Sequence, residues 1–524
     1  MISIKTLYIE EGISNLIEIE CDSAPGIPGI IFSGRAGKII EESAIRVRQA
    51  IRNAFNISFT TKILINLIPS DISKNTNLFD LPLAIAILGA LNKLNFSLSN
   101  ILILGELSLS GQTKTTNSVI PHLLRAYSSG FNSCIIPLEK IPDNLNLPIS
   151  IKRVKNLSET WNLIADIVKN RASNLIKDNQ SKTLNSSNIY NLNYTKTTFK
   201  DNIIESLYNQ SNFDYDFKDY VGGIFIKRAL AICASGFHSI YLLGPSGTGK
   251  TLLSTMFKNI LPPILKSEFH ELIDLYSQFN IDYDTQIPKR PYRIPHHSST
   301  IASMIGGGNP LSIGEVSLAH KGVLVLDEIN LFNKTVLESL REPFEEQKVM
   351  ISRSKYKVIL PSSFLLFLIS NLCSCGNYGS SKRVCICNAN QRQNFLSHVS
   401  SALKDRIDII YILNDQVSIE QEKLGTSSLQ KIVYSAFEKQ FYRFYNSEFK
   451  FNGKIYKTDL KKYIKIDSNL ENYLYESMKK NGQSFRRMEK VIKVARTIAD
   501  IENHKEIEKA DLIEAIFFVT GLKN

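Results

Sequence analysis

A glycine-rich segment at residues 244–251 carries the clearest chemical pattern in this chain. It reads GPSGTGKT and fits G-x-x-x-x-G-K-[ST], the pattern of a phosphate-binding loop. Backbone N–H groups of such a loop curl around phosphate oxygens, and the helix that follows adds partial positive charge. The pattern predicts that Lys250 reaches the β- and γ-phosphates of a nucleotide and that Thr251 holds Mg²⁺. The residues that we expect to bind the nucleotide are Gly244, Pro245, Ser246, Gly247, Thr248, Gly249, Lys250 and Thr251.

Two adjacent carboxylates follow a second apolar run, GVLVL at residues 322–326. We expect Asp327 to bind Mg²⁺ through water, together with Thr251. Glu328 is placed to take a proton from the attacking water or to orient it. A third apolar run ends at Asn371, which is predicted to sense the γ-phosphate; the alternative is an asparagine in an ordinary turn at a strand end.

These side chains need a parallel sheet to hold them. The run SIYLL at 239–243 reads as a buried strand, and residues 252–261 have the apolar spacing of a helix. Strand, glycine loop and helix in that order disfavour the alternative, a glycine turn that binds nothing. The sequence therefore predicts an α/β module with a nucleotide at the carboxyl ends of its strands.

Composition limits the class of protein. The 524 residues carry a formal net charge of +12 and are 43% hydrophobic, which predicts several globular domains. The charge favours an anionic partner such as nucleic acid, although enrichment in Lys alone would also produce it. The N-terminus lacks a secretion signal, the apolar runs are too short to cross a bilayer, and seven cysteines do not predict a disulfide framework. We therefore expect a soluble cytoplasmic protein.

Changes in pattern divide the chain into four predicted regions. Residues 1–167 read as an α/β domain, and residues 168–212, rich in Asn, Ser, Lys and Thr, read as a polar linker. Residues 213–415 contain the nucleotide-binding pattern, and residues 416–524 have helical spacing.

An ordered series of motifs surrounds the phosphate-binding loop: RIPHHS at 293–298, GEVSLAH at 314–320, LREPFE at 340–345 and LKDRID at 403–408. Together they resemble the AAA+ module of the Mg-chelatase-like ComM/YifB family. The resemblance implies a P-loop α/β core with a parallel sheet, a C-terminal helical lid, ATP and Mg²⁺. It also implies that Arg406 is an arginine finger and that Arg486 in the segment SFRRMEK is the second sensor, with Arg487 as the runner-up. For Arg406 the alternative is a salt bridge at a helix end.

The N-terminal region resembles a Lon-protease-like α+β domain, on the segments ESAIRVR at 42–48, NLIPSD at 66–71, FDLPLA at 79–84 and GELSLSG at 105–111. Leu83 and Ile120 stand where active proteases of that type carry serine and lysine. A Ser–Lys dyad needs both members, so the resemblance implies no peptidase activity.

Two Cys-x-Cys pairs lie between Asn371 and Asp405, namely Cys373 with Cys375 and Cys385 with Cys387. Four thiolates predict a structural Zn²⁺ site; free thiols in a loop are the alternative.

The resemblance implies a ring of identical subunits, expected to be a hexamer, that uses ATP to remodel single-stranded or branched DNA. In this family the activity is that of a helicase driving branch migration during DNA integration, with no role at a membrane. Two alternatives stay open. One is a motor subunit of a magnesium chelatase, and the other is a regulatory or scaffold protein that binds ATP.

Overall fold

The computed structural model divides the chain into two compact units. It describes residues 1–10, 13–33, 37–70, 74, 76–114, 119–139, 141, 147–174, 198–204, 213–220, 223–279, 281, 283, 288–309, 311–352, 357–414, 424–480 and 485–521. One unit comprises residues 1–195 with 269–286, and the other comprises 196–268 with 287–524. Most of the predicted linker lies outside the described residues, and the helix Leu157–Asn174 runs past the predicted boundary. Across the described ranges, no helix is long and apolar enough to cross a bilayer.

The described residues of the first unit form two main sheets and the short antiparallel pair β7-β8. The larger has the order β3-β4-β2-β1-β5 with both parallel and antiparallel pairs, and the smaller is the parallel sheet β10-β9-β6. Its strands are β1 (Ile2–Glu10), β2 (Ile13–Ala24), β3 (Gly29–Ser33), β4 (Lys62–Ile68), β5 (Phe96–Leu98), β6 (Ile101–Ile103), β7 (Glu106–Leu107), β8 (Thr113–Lys114), β9 (Ser133–Pro137) and β10 (Ser150–Val154). Its helices are α1 (Lys38–Phe55), α2 (Asp80–Leu91), α3 (Ile120–Ser128) and α4 (Leu157–Asn174).

Helix α2 forms the centre of the first unit. Its residues from Asp80 to Ala90 are buried, as expected for a helix that is apolar on all sides. The carboxylate of Asp80 accepts two hydrogen bonds from Arg46, at 3.0 and 3.1 Å, and one from the N–H of Leu107 at 3.2 Å. These bonds join three of the four segments on which the N-terminal resemblance rests. Leu83 and Ile120 are both buried.

The second unit is built on a parallel sheet of five strands in the order β14-β17-β20-β12-β21. The strands of this unit are β11 (Ile203–Ile204), β12 (Ile240–Leu243), β13 (Ile264–Leu265), β14 (Tyr292–Arg293), β15 (Gly306–Gly307), β16 (Ser312–Ile313), β17 (Val323–Leu326), β18 (Lys348–Ser352), β19 (Lys357–Pro361), β20 (Leu365–Ser370) and β21 (Ile409–Ile412). Every residue of β12, β17 and β20 is buried, because helices cover both faces of a parallel sheet.

Helices surround this sheet and form a lid after it. The helices that follow α4 along the chain are α5 (Phe199–Asn202), α6 (Ile224–Gly236), α7 (Lys250–Phe257), α8 (Lys266–Gln278), of which residues 269–278 belong to the first unit, α9 (Ile301–Ile305), α10 (Glu315–Leu318), α11 (Lys334–Ser339), α12 (Arg341–Glu346), α13 (Ala389–Leu396), α14 (Ser401–Lys404), α15 (Thr426–Arg443), α16 (Leu460–Tyr463), α17 (Ser468–Lys480), α18 (Phe485–Glu502) and α19 (Lys509–Thr520). Helices α15, α18 and α19 share one hydrophobic core with α6 through residues such as Leu230, Val433 and Val494. This mixed α/β core with a parallel sheet and a helical C-terminal region is an AAA+ type of fold, as predicted.

Candidate functional site

The phosphate-binding loop connects β12 to α7, as the sequence predicts. Gly247 and Gly249 have φ angles of +81° and +79°, a region that side-chain-bearing residues rarely adopt. The buried ammonium of Lys250 donates to the carbonyl oxygens of Gly244 at 2.9 Å and Pro245 at 2.6 Å. Burial lowers the pKa of Lys250 to about 8, and the nearby carboxylate of Asp327 opposes that shift. Lys250 therefore links the two ends of the loop through these hydrogen bonds, and its positive charge lies inside the loop.

Tyr220 also supports this loop, through a contact that the sequence does not predict. Its hydroxyl donates to the carbonyl oxygen of Thr248 at 3.0 Å. A Cβ atom on Gly249 would lie 3.0 Å from the Tyr220 ring, a tight contact, so packing favours glycine there in addition to its φ angle. The motif DFKDY at residues 216–220 was the available signal, but its spacing does not reveal which element it contacts.

The paired carboxylates lie next to the phosphate-binding loop. The Thr251 hydroxyl donates to Asp327 Oδ2 at 2.7 Å, which joins the two residues predicted to hold Mg²⁺. The other oxygen of Asp327 accepts the N–H of Glu328 at 2.8 Å. Hydroxyl and carboxylate oxygens are the ligands that Mg²⁺ prefers, so this pair fits the ion.

Glu328 has an unusual backbone conformation. Its φ angle is +49°, in the left-handed region, which is uncommon for a residue other than glycine and is found disproportionately at functional sites. Its side chain is exposed directly after the buried strand β17. The turn therefore directs a carboxylate into solvent at the edge of the sheet where the loop lies.

Asn371 lies at the same edge. It follows β20, which is paired with β17 on one side and with β12 on the other. The carboxyl ends of parallel strands form the usual ligand-binding edge of such a sheet. The structure thus brings Asn371 to the edge that carries the phosphate-binding loop and the two carboxylates.

The two predicted arginines share one carboxylate. Arg406 Nε lies 2.8 Å from Glu345 Oε1, and Arg486 Nη1 lies 3.8 Å from the same oxygen. Arg406 also donates to the carbonyl oxygen of Ala402 at 2.6 Å. Arg487, the runner-up for the sensor role, instead pairs with Asp405 at 3.5 Å. Arg406 and Arg486 therefore form one group, although they come from motifs far apart in the sequence.

Lys490 connects the helix that carries Arg486 to the segment that carries Arg406, and it was not predicted. Its ammonium donates to the carbonyl oxygens of Asp405 at 2.6 Å and Ile407 at 2.8 Å, on either side of Arg406. Burial lowers the pKa of Lys490 to about 8. The signal available in the sequence was its i,i+4 spacing from Arg486 on α18, which places both residues on one helix face.

The four cysteines between Asn371 and α13 form one cluster. The Sγ atom of Cys373 lies 3.3 Å from that of Cys375 and 3.7 Å from that of Cys385, and all four sulfur atoms lie within 4.8 Å of one another. A hydrogen bond from the N–H of Asn377 lowers the pKa of Cys375 to about 6, whereas burial raises the pKa of Cys373 to about 11. The structure confirms that the four residues converge.

Comparison with known proteins gives matches along most of the chain. The family described as magnesium chelatase, subunit ChlI, matches residues 216–421, the C-terminal region of that subunit matches 423–518, and a second ChlI description matches 19–140. The protein YifB of Salmonella typhimurium is 31% identical over 510 residues, which cover 96% of this chain and 94% of YifB.

Two further relatives agree with these matches. The competence protein ComM of Haemophilus influenzae is 30% identical over 526 residues, covering 96% of this chain and 94% of ComM. The Lon protease of Clostridioides difficile is 26% identical over 156 residues, which is 27% of this chain and 20% of the protease. On the two nearly full-length similarities, and on the nucleotide-site geometry that accompanies them, the chain belongs to the magnesium-chelatase-like YifB/ComM family of AAA+ proteins.

Proposed function

We propose that this protein is an ATP-driven motor that works as a ring of identical subunits and remodels DNA. The observation that carries the proposal is the hydrogen bond between Thr251 and Asp327, which brings the end of the phosphate-binding loop onto the acidic strand. Lys250 and the loop amides would hold the β- and γ-phosphates. Thr251 and Asp327 would hold Mg²⁺, which bridges phosphate oxygens and neutralises the charge that develops on them.

Glu328 supplies the base in this proposal. Its carboxylate is exposed beside Asp327, where it can accept a proton from water or fix the direction of attack on the γ-phosphate. The left-handed turn at Glu328 supports this role, since it directs the carboxylate away from the buried strand. Asn371 would hold the same water or the γ-phosphate from the neighbouring strand end.

Arg406 and Arg486 support the assembly part of the proposal. A guanidinium close to the transferring phosphoryl group stabilises its charge, and AAA+ rings supply that group from the adjacent subunit. Both arginines meet at Glu345: the side chain of Arg486 is 61% exposed, and that of Arg406, at 10%, lies just beneath the same surface. We expect this surface to face the nucleotide of a neighbour in a ring, with six subunits as the expected number.

DNA is the proposed substrate of the motor. The net charge of +12 favours a polyanionic partner, and one relative that aligns along nearly its full length is named as a competence protein. We propose a helicase activity that drives branch migration while single-stranded DNA is integrated. Phosphate contacts would make the binding sensitive to salt.

The test is ATP turnover by the purified full-length protein with no DNA, single strands, duplexes and branched duplexes. We expect branched or single-stranded DNA to raise turnover, high salt to remove the rise, and Lys250→Ala to abolish turnover on every substrate. A protein that hydrolyses ATP but responds to no DNA would favour a chelatase motor. A protein that binds ATP without turnover would favour a scaffold.

Two smaller proposals complete the assignment. The four clustered thiols would bind one structural Zn²⁺ per subunit, which metal analysis of the pure protein tests directly. The N-terminal region would have a Lon-like fold that serves assembly or substrate contact without peptidase chemistry. Leu83 and Ile120 are buried aliphatic side chains at the two positions where a Ser–Lys dyad needs a nucleophile and a base. ATP-dependent cleavage of unfolded protein would refute this second proposal.

A further inference from the structure

The four-cysteine cluster has the dimensions of a tetrahedral zinc site. Zinc–thiolate bonds of about 2.3 Å place the sulfurs of a tetrahedron about 3.8 Å apart. The measured Sγ–Sγ distances are 3.3 Å for Cys373 and Cys375, 3.6 Å for Cys375 and Cys385, and 3.7 Å for Cys373 and Cys385. These distances exceed the roughly 2.05 Å of a disulfide, and all four cysteines are free thiols. A single metal ion would require little rearrangement of this cluster.

The segment that carries the cysteines lacks regular secondary structure. No helix or strand is assigned between the end of β20 at Ser370 and the start of α13 at Ala389, a stretch that is fully described. Leu372 at its start is buried in the core, but Val384 and Ile386 beside the second cysteine pair are 86% and 85% exposed and contribute little burial. Segments of this length without secondary structure are uncommon in compact domains, and a cross-link is one constraint that stabilises them. A metal cross-link would supply that constraint.

This segment contacts the phosphate-binding loop at Gly376. The N–H of Ser246, within the loop, donates to the carbonyl oxygen of Gly376 at 2.8 Å. A Cβ atom on Gly376 would lie 2.1 Å from Ser246 Oγ and 3.9 Å from Asn371 Nδ2, so a side chain there would force the Ser246 hydroxyl to move, and the φ angle of +77° also disfavours it. Gly376 therefore sits between the phosphate-binding loop and the predicted γ-phosphate sensor.

The contact extends along the turn that follows. A Cβ atom on Gly379 would lie 3.7 Å from Pro245 Cγ, and the N–H of Tyr378 donates to Cys373 Sγ at 3.3 Å. One turn thus bonds to a thiol of the cluster on one side and packs on the phosphate-binding loop on the other.

We infer that the metal state of the four cysteines controls nucleotide affinity. In this inference Zn²⁺ bound by Cys373, Cys375, Cys385 and Cys387 fixes the Gly376–Gly379 turn, and the turn holds Ser246 and Asn371 in the geometry that binds phosphate. Loss of the metal leaves the turn free to move, and the phosphate-binding loop is then no longer held in the geometry that binds phosphate. Ordering the loop consumes part of the free energy of nucleotide binding, so the Kd rises. The inference rests on the proposed nucleotide and zinc sites and adds a regulatory link between them.

The experiment measures metal content and the Kd for a fluorescent N-methylanthraniloyl-ADP in the same samples of full-length protein. Zinc is removed with a thiol-modifying mercurial and a chelator, the thiols are regenerated, and zinc is then restored. We expect one zinc per subunit, a Kd at least about tenfold higher after removal, and recovery on reloading. Because the readout is ADP binding, it does not depend on hydrolysis or on DNA.

Two variants distinguish the effect of the contact between the turn and the phosphate-binding loop from the effect of zinc binding. Gly376→Ala should retain one zinc while its Kd rises, because the added methyl group displaces Ser246. Ile386→Ala, between two of the ligands but largely exposed, should leave both zinc content and Kd unchanged. The Gly376→Ala variant also covers the case in which stripped protein unfolds, since it tests the contact with the metal in place.

The outcomes distinguish three failures. Protein that contains zinc, but binds ADP equally well when stripped and as Gly376→Ala, overturns the regulatory link and leaves the zinc site standing. Protein that contains no metal, with four titratable thiols or a disulfide, overturns the zinc site and the link together. Protein that binds no ADP in any state overturns the nucleotide site itself.

Discussion

The phosphate-binding edge and the arginine pair are both parts of the proposed ATPase site, yet their contacts differ in kind. At the edge, the predicted residues bind one another: Thr251 donates to Asp327, and Asp327 accepts from Glu328. The arginines instead share Glu345, a residue with no predicted role in the chemistry. The edge is therefore arranged within one subunit, whereas the arginines must exchange Glu345 for phosphate if they are to act.

The sharpest test of this comparison is Arg406→Ala. We expect ATP turnover to fall by about 10³–10⁵, the contribution of an arginine finger in trans, with ADP affinity nearly unchanged. Mixing Arg406→Ala subunits with Lys250→Ala subunits should restore part of the turnover, because some interfaces then combine an intact loop with an intact arginine. Arg341→Ala removes a half-exposed guanidinium that pairs with Glu338 and serves as the control.

Two results would contradict this view of Arg406. Turnover at the wild-type rate would make the arginine a structural ion pair, which was the alternative from the sequence. A large loss without recovery in the mixture would mean that Arg406 acts on the nucleotide of its own subunit.

Glu328→Gln tests the other side of the comparison. Because glutamine cannot accept the proton of the attacking water, we expect turnover to fall by about 10²–10⁴. ADP affinity should be retained, since the loop and Asp327 are intact. Glu346→Gln, at a side chain that is 59% exposed, is the matched control. Rapid single-turnover hydrolysis by the Glu328→Gln variant would assign the role to another group.

These two regions also differ in how far the sequence predicts them. The loop, the acidic strand and Asn371 are each read from a short contiguous pattern, and parallel strands must bring their carboxyl ends to one edge. Their convergence follows from the fold class. Glu345 and Arg406 come from separate motifs, and no spacing indicates that they meet. The contact of Gly376 with Ser246 is equally hidden, because a glycine in a turn does not reveal which loop it lies against.

The stability of the packing next to Arg406 should depend on pH through His238, which is fully buried. His238 Nε2 lies 2.7 Å from Thr497 Oγ1, and Nδ1 lies 3.8 Å from Asp408, two residues after Arg406. Burial lowers the pKa of His238 to about 4, although Asp408 opposes the shift. In the unfolded chain the pKa of a histidine is about 6.5. Between about pH 4 and 6.5 the unfolded chain therefore binds more protons than the folded protein does.

The sign of the effect follows from that difference. As far as His238 is concerned, the free energy of unfolding is highest above about pH 6.5. It decreases by at most about 3 kcal/mol as the pH falls toward about 4, because the unfolded chain takes up a proton that the buried ring does not. We expect His238→Gln to flatten the dependence of the unfolding free energy on pH in this window. His296→Gln, at an exposed position, should leave it unchanged. Equal slopes for wild type and His238→Gln would show that another group is responsible.

The smallest expected effect comes from Glu345→Gln, and it bears most directly on the difference between the two regions. Glu345 is 42% exposed, and exposed ion pairs contribute only about 0–1 kcal/mol. If Glu345 competes with phosphate for the arginines, its neutralisation should raise turnover, by up to about fivefold. Turnover by subunits pre-assembled at high concentration should respond less, because their arginines have already changed partners. A fall of more than about tenfold would instead make Glu345 the group that positions Arg406 for attack on the neighbour's nucleotide.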